Sequence, residues 1–177
     1  MKVACKSTFA LLTAALMIAL PAASAFAQTA ASDDDKKFVD AALKGGMAEV
    51  ELGKLAEKKG ASADVKQFGA MMVTDHTKLG DKMKVVAGEI GEKPPTMMAA
   101  SGLATKTELE VLSGKTFDES YIKSMVKDHE DDLAAFRKEA AEGTSPEVKK
   151  AAHQGEMVVA KHLEMIKKIA QAHNVSM

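Results

Sequence analysis

The 177-residue chain balances 24 basic against 25 acidic side chains and contains one cysteine, one tyrosine and no tryptophan. Near neutrality argues against a nucleic-acid partner, which requires a concentrated basic face. Abundant Ala, Lys, Glu and Met favour helix, and the length suits one domain with its own core.

Residues 1–27 read as a secretory signal. Lys2 and Lys6 give a positive start, Phe9 to Leu20 is an apolar run, and Ala25-Phe26-Ala27 is an A-x-A cleavage site. The run is too short to span a bilayer, and nothing later is long and apolar enough to try, so no integral membrane segment is expected after cleavage. Cleavage removes Cys5 together with Lys2 and Lys6, leaving 22 basic against 25 acidic side chains and no thiol. The expected location is the periplasm. There the mature protein lacks disulfides, thiolate ligands and a cysteine nucleophile.

A polar tail over 28–35 ends in Asp33, Asp34 and Asp35, acids placed where a helix start favours them. The first long helix should run to Lys58-Lys59 and stop at Gly60. Ser62 can cap the second, which continues to about Gly91. A link with Pro94-Pro95 and a short helical piece near Ala104 to Leu112 follows. Thr116-Phe117-Asp118-Glu119 reads as a capping box opening the third long helix, which ends at Gly143. Ser145-Pro146-Glu147 supplies a cap, a proline and an acid for the fourth, which runs to about Asn174. Short turns force antiparallel neighbours, so the fold class expected over 36–174 is all-α: two helical hairpins, joined by a long link with a short extra helix, packed as an antiparallel four-helix bundle. The link either crosses the bundle, as in ferritin-like folds, or folds back at one end.

Bundle seams bury positions spaced alternately three and four apart. The seams read Phe38, Ala42, Gly45, Glu49, Leu52, Ala56 on the first long helix and Val65, Gly69, Met72, His76, Leu79, Met83, Val86, Ile90 on the second. On the third they read Ile122, Met125, His129, Asp132 or Leu133, Phe136, Ala140. The fourth gives Val148, Ala152, Gly155, Val159, His162, Met165 or Ile166, Ile169. Each seam thus contains one strong metal-ligand type: Glu49, His76, His129 and His162. All four lie near mid-helix, and at 1.5 Å per residue the members of each hairpin should match in height to roughly 5 Å. Burying three imidazoles and a carboxylate without partners is costly, and a divalent ion removes that cost.

The other polar residues compete less well. Asp75 and Asp128 each precede a seam histidine, so they point away from its ion but can orient a histidine on a neighbouring helix. Asp132 is a candidate fifth ligand and Glu51 the rival to Glu49. His153 and His173 read as surface residues. Met72, Met125 and Met165, one turn from the histidines, suit core filling better than Cu(I) coordination.

The Gly46-Met47-Ala48-Glu49-Val50-Glu51-Leu52-Gly53 run, the two Asp-His segments, Phe117-Asp118 with Tyr121, and His162-Leu163 resemble the bacterial family of domain of unknown function 4142, in the ferritin-like superfamily. The likeness extends from Phe38 to about Ile169. It implies an exported four-helix bundle and no settled activity. Di-iron bundles of that superfamily use paired Glu-x-x-His motifs. Here Val73, Val126 and Val159 stand three residues before the histidines, which disfavours a di-iron centre.

The function expected is a periplasmic protein that binds a transition metal (zinc, iron or copper) through Glu49, His76, His129 and His162, with a role in metal buffering or envelope stress. The alternative is a metal-free envelope stress or interaction protein whose histidines form a buried polar network. No nucleophile arrangement or phosphate loop points to an enzyme, and no organic cofactor or protein partner is indicated.

Overall fold

Ser32 opens the first helix with a capping box: its hydroxyl accepts from Asp35 N at 3.1 Å, and Asp35 Oδ2 accepts from Ser32 N at 2.6 Å. The computed structural model describes residues 30–176, so the signal-peptide reading falls outside the described residues. Among those residues the chain forms five helices and no strand: α1 (Asp33–Lys59), α2 (Ala63–Glu89), α3 (Ala100–Glu110), α4 (Gly114–Glu142) and α5 (Pro146–Ala172). None is long and apolar enough to cross a membrane. Because α1 begins at Asp33 and Asp35 is buried, the bundle starts three residues before the boundary expected at 36.

The helices form a four-helix bundle of ferritin-like topology, with α3 outside it. At one end the start of α1 meets the turn between α4 and α5, through Asp35 and Thr144, and the segment after α2, through Lys36 and Glu92. At the other end the turn between α1 and α2 meets the start of α4, through Asp118. The link therefore leaves α2 at one end and delivers α4 at the other. It crosses the length of the bundle along α1, held by Ala99 N donating to Lys44 O at 3.3 Å and by Lys59 Nζ donating to Glu110 O. Gly102 lies against Ala48 so closely that a side chain there would clash, which fixes α3 beside the middle of α1.

Both hairpin turns are closed by an aspartate from the opposite hairpin. Asp118 accepts from Ala61 N and Ser62 N, both at 2.9 Å. Asp35 accepts from Thr144 N at 2.9 Å, from Ser145 N at 3.2 Å and from the Thr144 hydroxyl. This corrects two local expectations. Thr116 does not open the third long helix: Ser113 is at the cap and Gly114, at φ +60°, is its first residue, while Asp118 bonds the far turn. Ser62 stands at the cap of α2 but makes no side-chain capping bond. Gly60 and Gly143 end their helices as expected, though with negative φ; each donates its N–H to the carbonyl four residues back at 2.9 Å.

The seams of α2, α4 and α5 are the buried faces. On α1 the first half is rotated by one residue, so that Val39 and Leu43 are buried while Phe38 and Ala42 are half-buried. Phe38 still packs edge-on against Phe136, ring centroids 5.0 Å apart. Gly53 and Gly69 let α1 and α2 touch, since a Cβ on either would fall 2.7 Å from the other's carbonyl oxygen. The core divides into two apolar clusters, one around Leu52, Phe68, Phe117, Tyr121 and Ile166, the other around Val39, Leu43, Met83, Phe136 and Val159. Between them lies a polar layer.

Candidate metal centre

That layer consists of Glu49 from α1, His76 from α2, His129 from α4 and His162 from α5, each at most 3 % exposed. The imidazole centroids form a nearly regular triangle with sides of 5.2, 5.6 and 5.7 Å. One donor nitrogen from each histidine lies within 4.8 Å of the other two. The Phe68 ring covers the layer from one side, 6.2 Å from both His129 and His162.

Each histidine has a hydrogen-bond acceptor on its outward nitrogen. His76 Nδ1 lies 2.7 Å from Glu49 Oε2, His129 Nδ1 lies 2.8 Å from the Met125 carbonyl, and His162 Nε2 lies 3.1 Å from Asp75 Oδ2. A carbonyl or an ionised carboxylate only accepts, so with Glu49 ionised these partners place the proton of each neutral ring on the outward nitrogen and the lone pair on the inward one. The inward nitrogens His76 Nε2 and His162 Nδ1 then face each other as two acceptors, 3.2 Å apart. His129 Nε2 has no hydrogen-bond partner, and neither has Glu49 Oε1, 3.6 Å from it. Three lone pairs thus converge on one point with no donor among them.

Burial keeps the rings neutral. It pushes His76 and His129 down to about 4, against the upward pull of Asp132 and Asp75 on His76 and of Glu49 on His129, and it lowers His162 as well. Burial raises Glu49 to about 7, opposed by His129 and reinforced by Asp128.

All four expected site residues come together. Glu49 stands beside the histidine trio, holding the proton of His76, and no carboxylate oxygen belongs to the compact three-nitrogen set. Asp75 orients a histidine on a neighbouring helix, as its position allowed; Asp128 makes no bond to a histidine and lines an adjacent cavity. Asp132 lines the same cavity, and burial, then the Glu49 charge, lifts its carboxyl to about 8. Glu51 pairs at the surface with Lys54 at 2.7 Å. His153 is exposed, and His173 bonds Asp64 at the end of the bundle. Met72 and Met125 are core residues in the cluster around Phe68, and Met125 contributes its carbonyl to the site. The seam pattern had not pointed to Phe68 or that carbonyl; Phe68 is two turns before His76, on a flank adjoining the seam.

The sequence pattern of the family described as "Domain of unknown function (DUF4142)" matches residues 20–169. No curated protein sequence matches the chain. Among solved structures, a DUF305 fragment from Deinococcus radiodurans is similar at 14 % identity and a TM-score of 0.71, over 80 % of this chain and 98 % of that one. A DUF305 protein from Streptomyces coelicolor is similar at 12 % identity and a TM-score of 0.69, over 81 % and 95 %. CopM, described in its Cu(I)-bound form, is similar at 16 % identity and a TM-score of 0.66, over 78 % and 96 %. At these identities the likeness is one of fold.

Proposed function

The chain belongs to the DUF4142 family, and we propose that its polar layer binds one transition-metal ion through His76, His129 and His162. The observation that carries this reading is the convergence of three imidazole lone pairs whose outward nitrogens are all tied to acceptors. Two nitrogens on one tetrahedral ion at about 2.0–2.1 Å are separated by roughly 3.3 Å. His76 Nε2 and His162 Nδ1 stand at 3.2 Å. The third nitrogen, within 4.8 Å of both, needs a movement of at most about 1.5 Å to reach that spacing. An ion turns the repulsion between facing acceptors into shared coordination, and neutral rings bind it without first losing a proton. Glu49, Asp75 and the Met125 carbonyl hold the ligand rings in orientation, and Glu49 Oε1 is the protein oxygen available as a fourth ligand.

Imidazole donors suit zinc, iron and copper, and the similar fold of CopM, described with Cu(I) bound, supports a metal in a bundle of this shape. In this reading the protein is exported and holds a metal ion in the periplasm, for buffering or during envelope stress. The test is metal content by mass spectrometry on untagged protein purified from the periplasm without chelator, beside a His76→Ala/His129→Ala/His162→Ala variant. One equivalent of a single metal, lost in the variant, is the expected result. A wild-type protein that is isolated without metal and takes up no zinc, iron(II) or copper(I) on titration overturns it, in favour of a metal-free polar network.

A further inference from the structure

Two cavities border the polar layer, and they differ in chemistry. One, of about 680 Å³, is apolar; it touches His76 and is walled by Met47, Val50, Met97 and Leu103, with Lys84 among its lining residues. The other, of about 210 Å³, lies between α1, α3 and α4 and has four carboxylates in its wall: Glu49, Asp128, Asp131 and Asp132. No lysine, arginine or histidine lines it. Asp131 is paired with Lys127 at 2.5 Å, whereas Asp128 and Asp132 make no hydrogen bond or ion pair. Glu49 is the inner wall. It is 3 % exposed, its Oε1 is without a hydrogen-bond partner, and its Oε2 holds His76.

We propose that this acidic cavity is the port through which a hydrated divalent cation reaches the histidine centre, with Asp128 and Asp132 collecting the ion and Glu49 passing it inward. The inference rests on the metal-binding reading above. A port needs a charge that attracts the ion, room for part of its water shell, and a group that belongs to both port and centre. The carboxylates supply the first in their ionised form, which an approaching cation favours against the burial that lifts Asp132 to about 8; a cleft lined by one sign of charge raises association rates by about 10–10³-fold. Glu49 supplies the last. The apolar cavity fails the first requirement, because its one carboxylate, Glu51, is paired with Lys54 and its lysine, Lys84, with Asp81, so its wall presents no unpaired negative charge. Gly45 and Gly102 line the acidic cavity, and a Cβ on Gly45 would meet nothing within 4 Å. That backbone leaves open the space a side chain would occupy.

The experiment is stopped-flow uptake of Co²⁺ by the full metal-free protein, followed by the visible d–d absorbance of the ion, at low and high ionic strength. Asp128→Asn/Asp132→Asn should slow uptake about tenfold at low ionic strength, with the gap narrowing in salt and the final spectrum unchanged. Gly45→Leu, which gains helix propensity and whose Cβ meets nothing within 4 Å, should slow uptake at every ionic strength by narrowing the port. Uptake by the charge variant at the wild-type rate overturns the proposal. So does an altered final spectrum, which would make the aspartates ligands of the centre. Failure of the centre itself reads differently: the wild-type protein then shows no Co²⁺ spectrum at all, and the port falls with it.

Discussion

Glu139 gives a pH dependence whose size follows from the structure. The residue is 9 % exposed, with an Oε1 that has no ordinary donor beside it. Burial raises it to about 7, and a hydrogen bond to Asp35 adds to the rise. Burial also works upward on Asp35, but bonds from Thr144, Glu139 and Ser32 hold that carboxylate well below the usual range. Below about pH 7 Glu139 therefore keeps its proton and can donate it to Asp35. A carboxyl whose folded pKa exceeds its unfolded value contributes stability that is complete below the unfolded pKa and lost as pH rises through the folded one. For Glu139 the window runs from 4.5 to about 7, and at 1.36 kcal/mol per unit the loss is about 3 kcal/mol. Glu139→Gln keeps a neutral donor toward Asp35 and removes the titration. Urea unfolding of both proteins, with chelator present and at unit steps from pH 4 to pH 8, isolates the effect, because other groups cancel in the difference. The stability of the Gln variant minus that of wild type should climb by about 2–3 kcal/mol across the window. A difference flat to within about 0.5 kcal/mol would refute the shared proton.

Asp75→Asn should lower metal affinity about 10–100-fold by loosening the orientation of His162, read by competition with a chromophoric chelator, while metal-free stability changes by about 1 kcal/mol or less; equal affinity would remove Asp75 from the centre. Asp118→Ala should cost about 2–4 kcal/mol in urea unfolding, since it deletes two hydrogen bonds to a carboxylate. Asp118→Asn, which keeps one acceptor oxygen for one of the two N–H groups, should cost about half as much. A loss below about 0.5 kcal/mol in the alanine variant would show that water replaces the carboxylate.

Most of the centre was readable because it depends on period and height. A three-four spacing on each long helix and counting from the turns are enough to bring Glu49, His76, His129 and His162 to one level. What Glu49 does there was not readable. Whether a carboxylate meets an ion or the far nitrogen of a histidine is decided by rotamers and by Oε2 lying 2.7 Å from His76 Nδ1, which no spacing encodes. The rotation of α1 has a similar cause: Phe38-Val39 and Ala42-Leu43 are adjacent apolar pairs, so the pattern alone does not choose between them. The link was ambiguous because α3 begins at Ala100 after an alanine with no capping side chain, four residues before the start expected near Ala104. Nor did the sequence announce Asp35 and Asp118 as closures of distant turns. Both look like ordinary acids of a helix start, and their partners are over fifty residues away.

Those two aspartates make the halves of the molecule mutually dependent. The turn of each hairpin is finished by the other, so a hairpin on its own carries backbone N–H groups at its bend with no carboxylate to receive them. Splaying the bundle at either end breaks a crossing between hairpins and strands a charged group that was buried. Both ends are clasped, and the polar layer is sealed by apolar packing above and below. Anything exchanged between solvent and the middle of such a bundle has no hinge at its ends to open, which leaves the flanks.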